Sequence, residues 1–237
     1  MSAQTTMAEL WPDGLCAVAV DVALLTVRDG VLQVLLAKPD TPPFTALWSL
    51  PGRRVAADEN LDETAHRALR ELAGVAAPDA HLQQLRTYGD PGRDPHARIV
   101  SVAYLALTPL TDTFVLPSHA QLVPVAQLLA NGANQLAYDH RQIVADALER
   151  ARSKLEYSSL ATAFVTEPFT LAELRRVYEA VWGVVLDEAN FRRKVAHTPG
   201  FVVEVSGVAP PGPEGGRPAK RYKPGGATQL HPAMLRP

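Results

Sequence analysis

The chain is 237 residues long, enough for one large domain or two modest ones, with the composition of an ordinary soluble globular protein (47% hydrophobic, 20% charged). Its longest apolar stretch, Leu15 to Val27, is cut by Asp21 and too short to span a bilayer, and the N-terminus lacks the charged-then-apolar pattern of a secretory signal, so a cytoplasmic location is expected. The net charge of −2 hides an asymmetry: residues 1–150 carry 11 Lys and Arg against 17 Asp and Glu, and residues 151–237 carry 12 against 8, an acidic front and a basic back suited to a polyanion.

The front reads as mixed α/β. "LCAVAVDVALLTV" suits a buried strand, "RDG" a turn and "VLQVLLAK" a second strand, joined as a hairpin. The single cysteine, Cys16, allows no internal disulfide and reads as a buried core thiol. A proline-rich loop carrying Trp48 follows. Leu61, Ala65, Leu69 and Leu72 then recur at helical spacing through Ala73. "RIVSVAYLALT" is another strand, and "VPVAQLLANG" a short helix ended by Gly132. Asp139 is placed to cap a helix running to about Leu155, with Ile143, Ala147, Leu148 and Ala151 on its apolar face.

The character changes after that. Thr170 and Glu173 form a capping box before a helix with Leu171, Leu174, Val177, Tyr178 and Val181 inside, stopped by Gly183. Asp187 caps a second helix whose inner contacts are expected from Ala189, Phe191 and Val195. "GFVVEVSG", a Pro/Gly-rich turn and "RPAKRYK" complete a winged helix-turn-helix. The expected division is an N-terminal extension over residues 1–12, a mixed α/β domain over 13–155, a winged helix over 156–224 and a loose tail over 225–237.

"RRVAADENLDETAHRALRELAGV" carries Glu59, Arg67, Leu69, Glu71, Gly74 and Val75 at the spacing of the Nudix signature, which it resembles. The resemblance implies an α/β/α sandwich. The sequence departs from the signature at Arg53 in its glycine slot, and at Ala68 and Leu72 where it has glutamates. Positions 68, 71 and 72 share one side of a helix. Three carboxylates there would hold divalent cations on a diphosphate; Glu71 alone is a poor site for a hard ion. The resemblance therefore implies a catalytically inactive pocket with no required cofactor and no metal site. An active pyrophosphatase on ADP-ribose, with ligands drawn from Asp58, Glu59, Asp62 or Glu63, is the alternative.

"TYGDPGRDPHARIVSVAYLAL" looks like the Nudix branch that acts on or senses ADP-ribose-type compounds. The expected ligand-binding set is Trp48, Arg53, Arg54, Arg67, Glu71, Asp90, Arg93 and Arg98: arginines for phosphate, Asp90 for ribose hydroxyls, Trp48 for adenine. The competing reading is a loop held by Asp–Arg pairs with Trp48 in the core. His66, His96 and His140, without metal-ligand spacing, read as surface or capping histidines.

The second helix of the rear module presents Asn190, Arg192, Arg193 and Lys194, residue types that read base edges bidentately. Thr170, Arg217, Lys220 and Arg221 complete the expected DNA-contacting set, with Lys223 on the closing strand. A protein-docking winged helix is the bland alternative. A degenerate Nudix domain followed by this module is similar to the Nudix-related transcriptional regulators of NAD metabolism. That similarity implies a homodimer on a palindromic double-stranded operator and ADP-ribose, or a related nucleotide, as effector. It also implies control of NAD synthesis or salvage genes, as a repressor in the favoured reading and an activator in the other.

Overall fold

The computed structural model describes residues 15–40, 42, 44–75, 81–110, 115–130, 136–209 and 218–237. The N-terminal extension, Gly132 and Arg217 lie outside the described residues.

The central strand β1 (Ala17–Arg28) runs parallel to β5 (Ile99–Leu107) on one side. On the other it divides its pairing. Residues Ala19 to Asp21 pair antiparallel with the short β3 (Gly52–Arg54), and Leu25 to Arg28 with β2 (Val31–Ala37). β4 (His81–Tyr88) and β6 (Ala120–Pro124) close the sheet in the order β4-β5-β1-β2-β6. β1 is buried on both faces from Val20 to Leu25, which is why it reads as a continuous apolar run rather than an alternating one.

Successive side chains of β1 face opposite layers. Val20, Val22 and Leu24 meet α1 (Leu61–Ala73) through Ala65, Leu69, Leu72 and Ala73. Asn60 and Glu63 cap α1 reciprocally, and Gly74 ends it in the left-handed region at φ 65. Ala23 and Leu25 face the other layer, α2 (Val125–Ala130) and α3 (His140–Tyr157), through Val125, Leu128, Ile143, Ala147 and Ala151. The expected α/β/α sandwich is present.

A 3-10 turn (Ser159–Phe164) leads into α4 (Leu171–Trp182) and α5 (Glu188–Ala196), then the wing strands β7 (Val202–Ala209) and β8 (Ala219–Pro224). Both caps expected of the winged helix are made: Thr170 accepts from the Glu173 N–H, and Asp187 from the Asn190 N–H at 2.8 Å. One apolar cluster runs unbroken from Leu25 and Val34 through α3 to Tyr178, Phe191 and Phe201, so the two modules share a core. Tyr178 donates to the Leu155 carbonyl at 3.2 Å, Trp182 Nε1 to that of Arg152 at 3.3 Å, and Arg152 Nε to that of Val181 at 3.0 Å. α3 and α4 are thereby tied side chain to backbone.

Four expectations are corrected. Cys16 is exposed, because it precedes the first buried position of β1 rather than lying inside it. Residues 225–237 are docked rather than loose: Leu230 and Met234 are 1% and 2% exposed within the shared core. Ala189 is exposed, so only Phe191 and Val195 of its trio pack inward. Asp139 stands at the N-cap of α3 but makes no side-chain cap bond, because its carboxylate is engaged elsewhere.

Candidate functional site

The point where β1 changes partners from β3 to β2 organises the front of the molecule. Gly52 lies against Asp21 there, and a Cβ at 52 would fall 2.1 Å from Asp21 Oδ1, so only glycine fits. Asp21 itself is buried. It accepts from the Ser101 hydroxyl at 2.5 Å and from Arg93 Nη2 at 3.2 Å, and His140 Nε2 lies 3.4 Å from its other oxygen. Burial alone would raise its pKa, but the His140 ring, the Ser101 hydroxyl and the Arg93 guanidinium outweigh it and hold the carboxyl at about 2. His140 Nδ1 accepts from the Leu50 N–H at 2.9 Å, so its ring proton lies on Nε2, towards Asp21. His140 is thus a buried linker, not the surface or capping residue expected.

Arg93 is equally committed. Its side chain is 4% exposed and bonds both oxygens of Asp139 as well as Asp21. Burial would lower its pKa, but those two carboxylates raise it instead. Its expected role as a free phosphate clamp gives way to that of a structural ion pair, because two carboxylates already satisfy its fork. Tyr138, at φ 56, places its ring against Phe44 edge-on at 4.6 Å and beside Arg93 and His140.

Arg53 and Glu71 come together on the neighbouring surface. Arg53 Nε donates to Glu71 Oε2 at 2.9 Å, and its Nη2 to Asp40 at 3.0 Å. Arg67 donates to both oxygens of Glu59, at 2.7 and 2.8 Å, and to the Arg54 carbonyl; its Nη1 lies 3.6 Å from Glu71. The Arg67 bonds hold the Glu59 pKa below the ordinary carboxylate value. Ala68 and Leu72 are buried, and Leu72 belongs to the core between α1 and the sheet.

These residues do not fit a divalent-cation site. Glu71, the one carboxylate left at positions 68, 71 and 72, is faced by two guanidiniums, and a hard dication wants several anionic oxygens instead. Among the described residues, no group of three His, Cys, Asp or Glu is placed to hold a metal ion. Arg54 is the exposed cation of this surface, while Arg53 and Arg67 are half-buried and already paired with Asp40, Glu71 and Glu59. Trp48 is half-buried, with Lys38 Nζ 5.3 Å from its ring centroid. Asp90 and Arg98 are exposed, and Asp90 accepts from the Gly92 N–H at 2.8 Å; neither is tied to the Arg53–Glu71 cluster.

Arg192 and Arg193 of α5 are exposed. With 3.6 residues per turn, Phe191 and Val195 define its inner side, and Ala189, Arg193 and Ala196 point away from it. Asn190 and Lys194 fall on one flank and Arg192 on the other. Arg193 donates to Asn190 Oδ1 at 2.9 Å, and Arg192 to Glu188 at 3.3 Å. Thr170 is buried and its hydroxyl is engaged in the cap of α4, which removes it from the expected DNA-contacting set. Lys220 pairs with Glu204 at 2.8 Å on the exposed wing, beside the half-buried Arg221 and exposed Lys223.

The sequence reading missed Asp21, Tyr138, Asp139 and His140 as members of one assembly. A lone carboxylate inside an apolar strand was the one available signal, since such a group needs partners.

A Nudix domain model matches residues 17–147, and an NrtR DNA-binding winged helix domain model matches residues 161–223. The ADPR responsive transcriptional repressor NtrR of Acinetobacter baylyi is 34% identical over 211 residues, which is 86% of this chain and 80% of that protein. The chain belongs to the NrtR family of Nudix-related transcriptional regulators. NrtR of Shewanella oneidensis superposes with a TM-score of 0.74 at 33% identity, over 86% of this chain and 92% of its own. That NrtR has also been solved with a 27mer DNA (TM-score 0.69, 32% identity, 87% and 92% of the two chains). Its Nudix domain has been solved with ADP-ribose (TM-score 0.51, 32% identity, 62% and 99%). The NrtR winged-helix match ends at residue 223, short of the docked C-terminal segment.

Proposed function

We propose that this chain is a DNA-binding transcriptional repressor whose Nudix domain senses ADP-ribose without hydrolysing it. The observation that carries the reading is similarity over both modules at once, to a repressor named for its ADP-ribose response and to an NrtR solved with DNA and with ADP-ribose. Two features of this chain's own residues support the loss of hydrolysis. The positions of two signature carboxylates are the buried Ala68 and Leu72, and the third, Glu71, is neutralised by Arg53.

In this reading the exposed Arg54 attracts the diphosphate of the effector, and Arg53 and Arg67 join it by giving up part of their pairing with Asp40, Glu71 and Glu59; Trp48 is available to its base, Asp90 and Glu71 to its ribose hydroxyls and Arg98 to its phosphates. α5 enters the major groove with Arg193 foremost, Arg192 on one flank and Asn190 and Lys194 on the other, and Lys220, Arg221 and Arg217 on the backbone. The working unit is a homodimer on a palindromic operator, and the controlled genes serve NAD synthesis or salvage. α3 carries the response between modules, since one end is bonded to the loops before β3 and β5 and the other to α4. A hundredfold change in DNA affinity requires about 2.7 kcal/mol of differential ligand binding between the two arrangements.

The test is incubation with ADP-ribose and Mg²⁺, followed by chromatography for AMP, beside operator binding with the same nucleotide. Intact ADP-ribose and weakened DNA binding are expected. Turnover that falls in Glu71→Gln would instead establish an active pyrophosphatase.

A further inference from the structure

The C-terminal segment is built into the structure by specific contacts. After β8 the chain turns at Gly225, whose N–H donates to the Phe201 carbonyl at 2.9 Å. A Cβ there would lie 1.9 Å from the Gly200 oxygen, so glycine is required for this close crossing. The Leu230 and Met234 N–H groups then donate to the carbonyls of Tyr157 and Glu156, at 2.9 and 2.8 Å. Those carbonyls belong to the last turn of α3 and have no partner within the helix, so the segment completes the end of that helix. Leu230 and Met234 bury their side chains in the shared core, and Arg236 Nε lies 3.7 Å from Glu156.

From this anchor the segment reaches the recognition helix. Met234, Leu235 and Pro237 border a cavity of about 60 Å³ together with Trp182, Asn190 and Lys194. Across that cavity they face the flank of α5 that carries Asn190. Asn190 in turn holds Arg193 through its Oδ1 at 2.9 Å, and Arg193 lies on the side of α5 turned away from the core.

We infer that residues 229–237 are a third element of the DNA-reading unit, which seats α5 and, through Asn190, aims Arg193. The segment contributes to base preference rather than to phosphate attraction, because the wing cations Lys220, Arg221 and Lys223 lie on another element. Leu235 and Met234 are positioning residues in this scheme, not base contacts. The inference rests on α5 being the recognition helix, as argued above.

The test compares the full chain with Leu235→Ser and with a chain lacking residues 229–237. Leu235 is 54% exposed, so its replacement leaves the core filled even if the shortened chain folds poorly. The probes are a 27-base-pair duplex selected by the full chain from a random library and a scrambled duplex of the same composition, each titrated at two salt concentrations. The full chain should prefer the selected duplex by roughly a thousandfold or more. Leu235→Ser should lose about tenfold or more on the selected duplex, the equivalent of one poor base pair. It should change less than about twofold on the scrambled one, with the salt slope unchanged. A variant with the full preference overturns the inference. So does a parallel loss on both duplexes with a lower Tm, which is the mark of simple destabilisation. A full chain that prefers no duplex overturns the DNA-reading function itself, and the inference with it.

Discussion

Arg93 donates two hydrogen bonds to Asp139, Nε to Oδ2 at 3.1 Å and Nη2 to Oδ1 at 2.8 Å, and so clamps the loop before β5 to the first turn of α3. The second residue of that turn, His140, receives the Leu50 N–H from the loop leading to β3. Two loops of the Nudix domain thus end on one helix, whose far end is bonded to Trp182 and Tyr178 of the winged helix. Paired charges at low exposure have few alternative arrangements, which makes this clamp suited to transmitting a shift rather than absorbing it.

Asp139→Asn keeps one acceptor and the shape of the side chain but loses the charge and the second bond. It should leave ADP-ribose affinity and operator affinity each within about threefold, and cut the effect of one on the other by about tenfold. Titration calorimetry and fluorescence anisotropy measure both. A fully coupled Asp139→Asn protein would remove this clamp from the account.

Acid should act through Asp21. Its folded pKa of about 2 lies below the ordinary 3.8, so its stabilisation is complete above that ordinary value and disappears as pH falls towards 2. The size of the effect is on the order of 2 kcal/mol. Asp21→Asn should melt well below the parent protein at pH 7, and the gap between the two should narrow between pH 4 and pH 2. Melting curves with a constant gap would show that the carboxylate carries no such linkage.

Restoring a signature carboxylate should not restore a cation site. Leu72→Glu removes a packed side chain from the core between α1 and the sheet and puts a charge in its place. A loss of roughly 2–5 kcal/mol is expected by chemical denaturation. No AMP should form from ADP-ribose with Mg²⁺. A stable, hydrolysing Leu72→Glu protein would contradict the assignment of that position to the core.

Arg192→Ala and Arg193→Ala should each weaken operator binding by roughly 1–3 kcal/mol and relax base preference at one position of the site. Arg193 should cost more, since it faces away from the core while Arg192 lies on a flank paired with Glu188. Equal binding of both variants to operator and scrambled DNA, at parental strength, would favour a protein-docking module.

Much of this architecture was legible in the sequence because it rests on local signals. The spacing of Leu61, Ala65, Leu69 and Leu72 marks α1, Thr170 with Glu173 and Gly183 bound α4, and the spacing of Glu59, Arg67 and Glu71 marks the Nudix helix. β4 was not legible, because at an edge only Leu85 and Tyr88 of "HLQQLRTY" are buried and no alternation results. The docked tail was missed for a related reason: its hold on α3 uses backbone donors, and Leu230 and Met234 are too far apart to form a pattern. Arg93 stays open between phosphate and Asp–Arg pairing in the sequence, because an arginine suited to phosphate is equally suited to a carboxylate. Only the fold brings Asp21 and Asp139, 72 and 46 residues away in sequence, to its two sides.

Anisotropy of the selected 27-base-pair duplex, titrated with this protein at increasing ADP-ribose and followed by recovery of the nucleotide, tests the central claim most directly. A rise in apparent Kd of about tenfold or more, with ADP-ribose recovered intact, is the result expected of a sensing repressor. An unchanged Kd at saturating ADP-ribose, or recovery of AMP in its place, would contradict it.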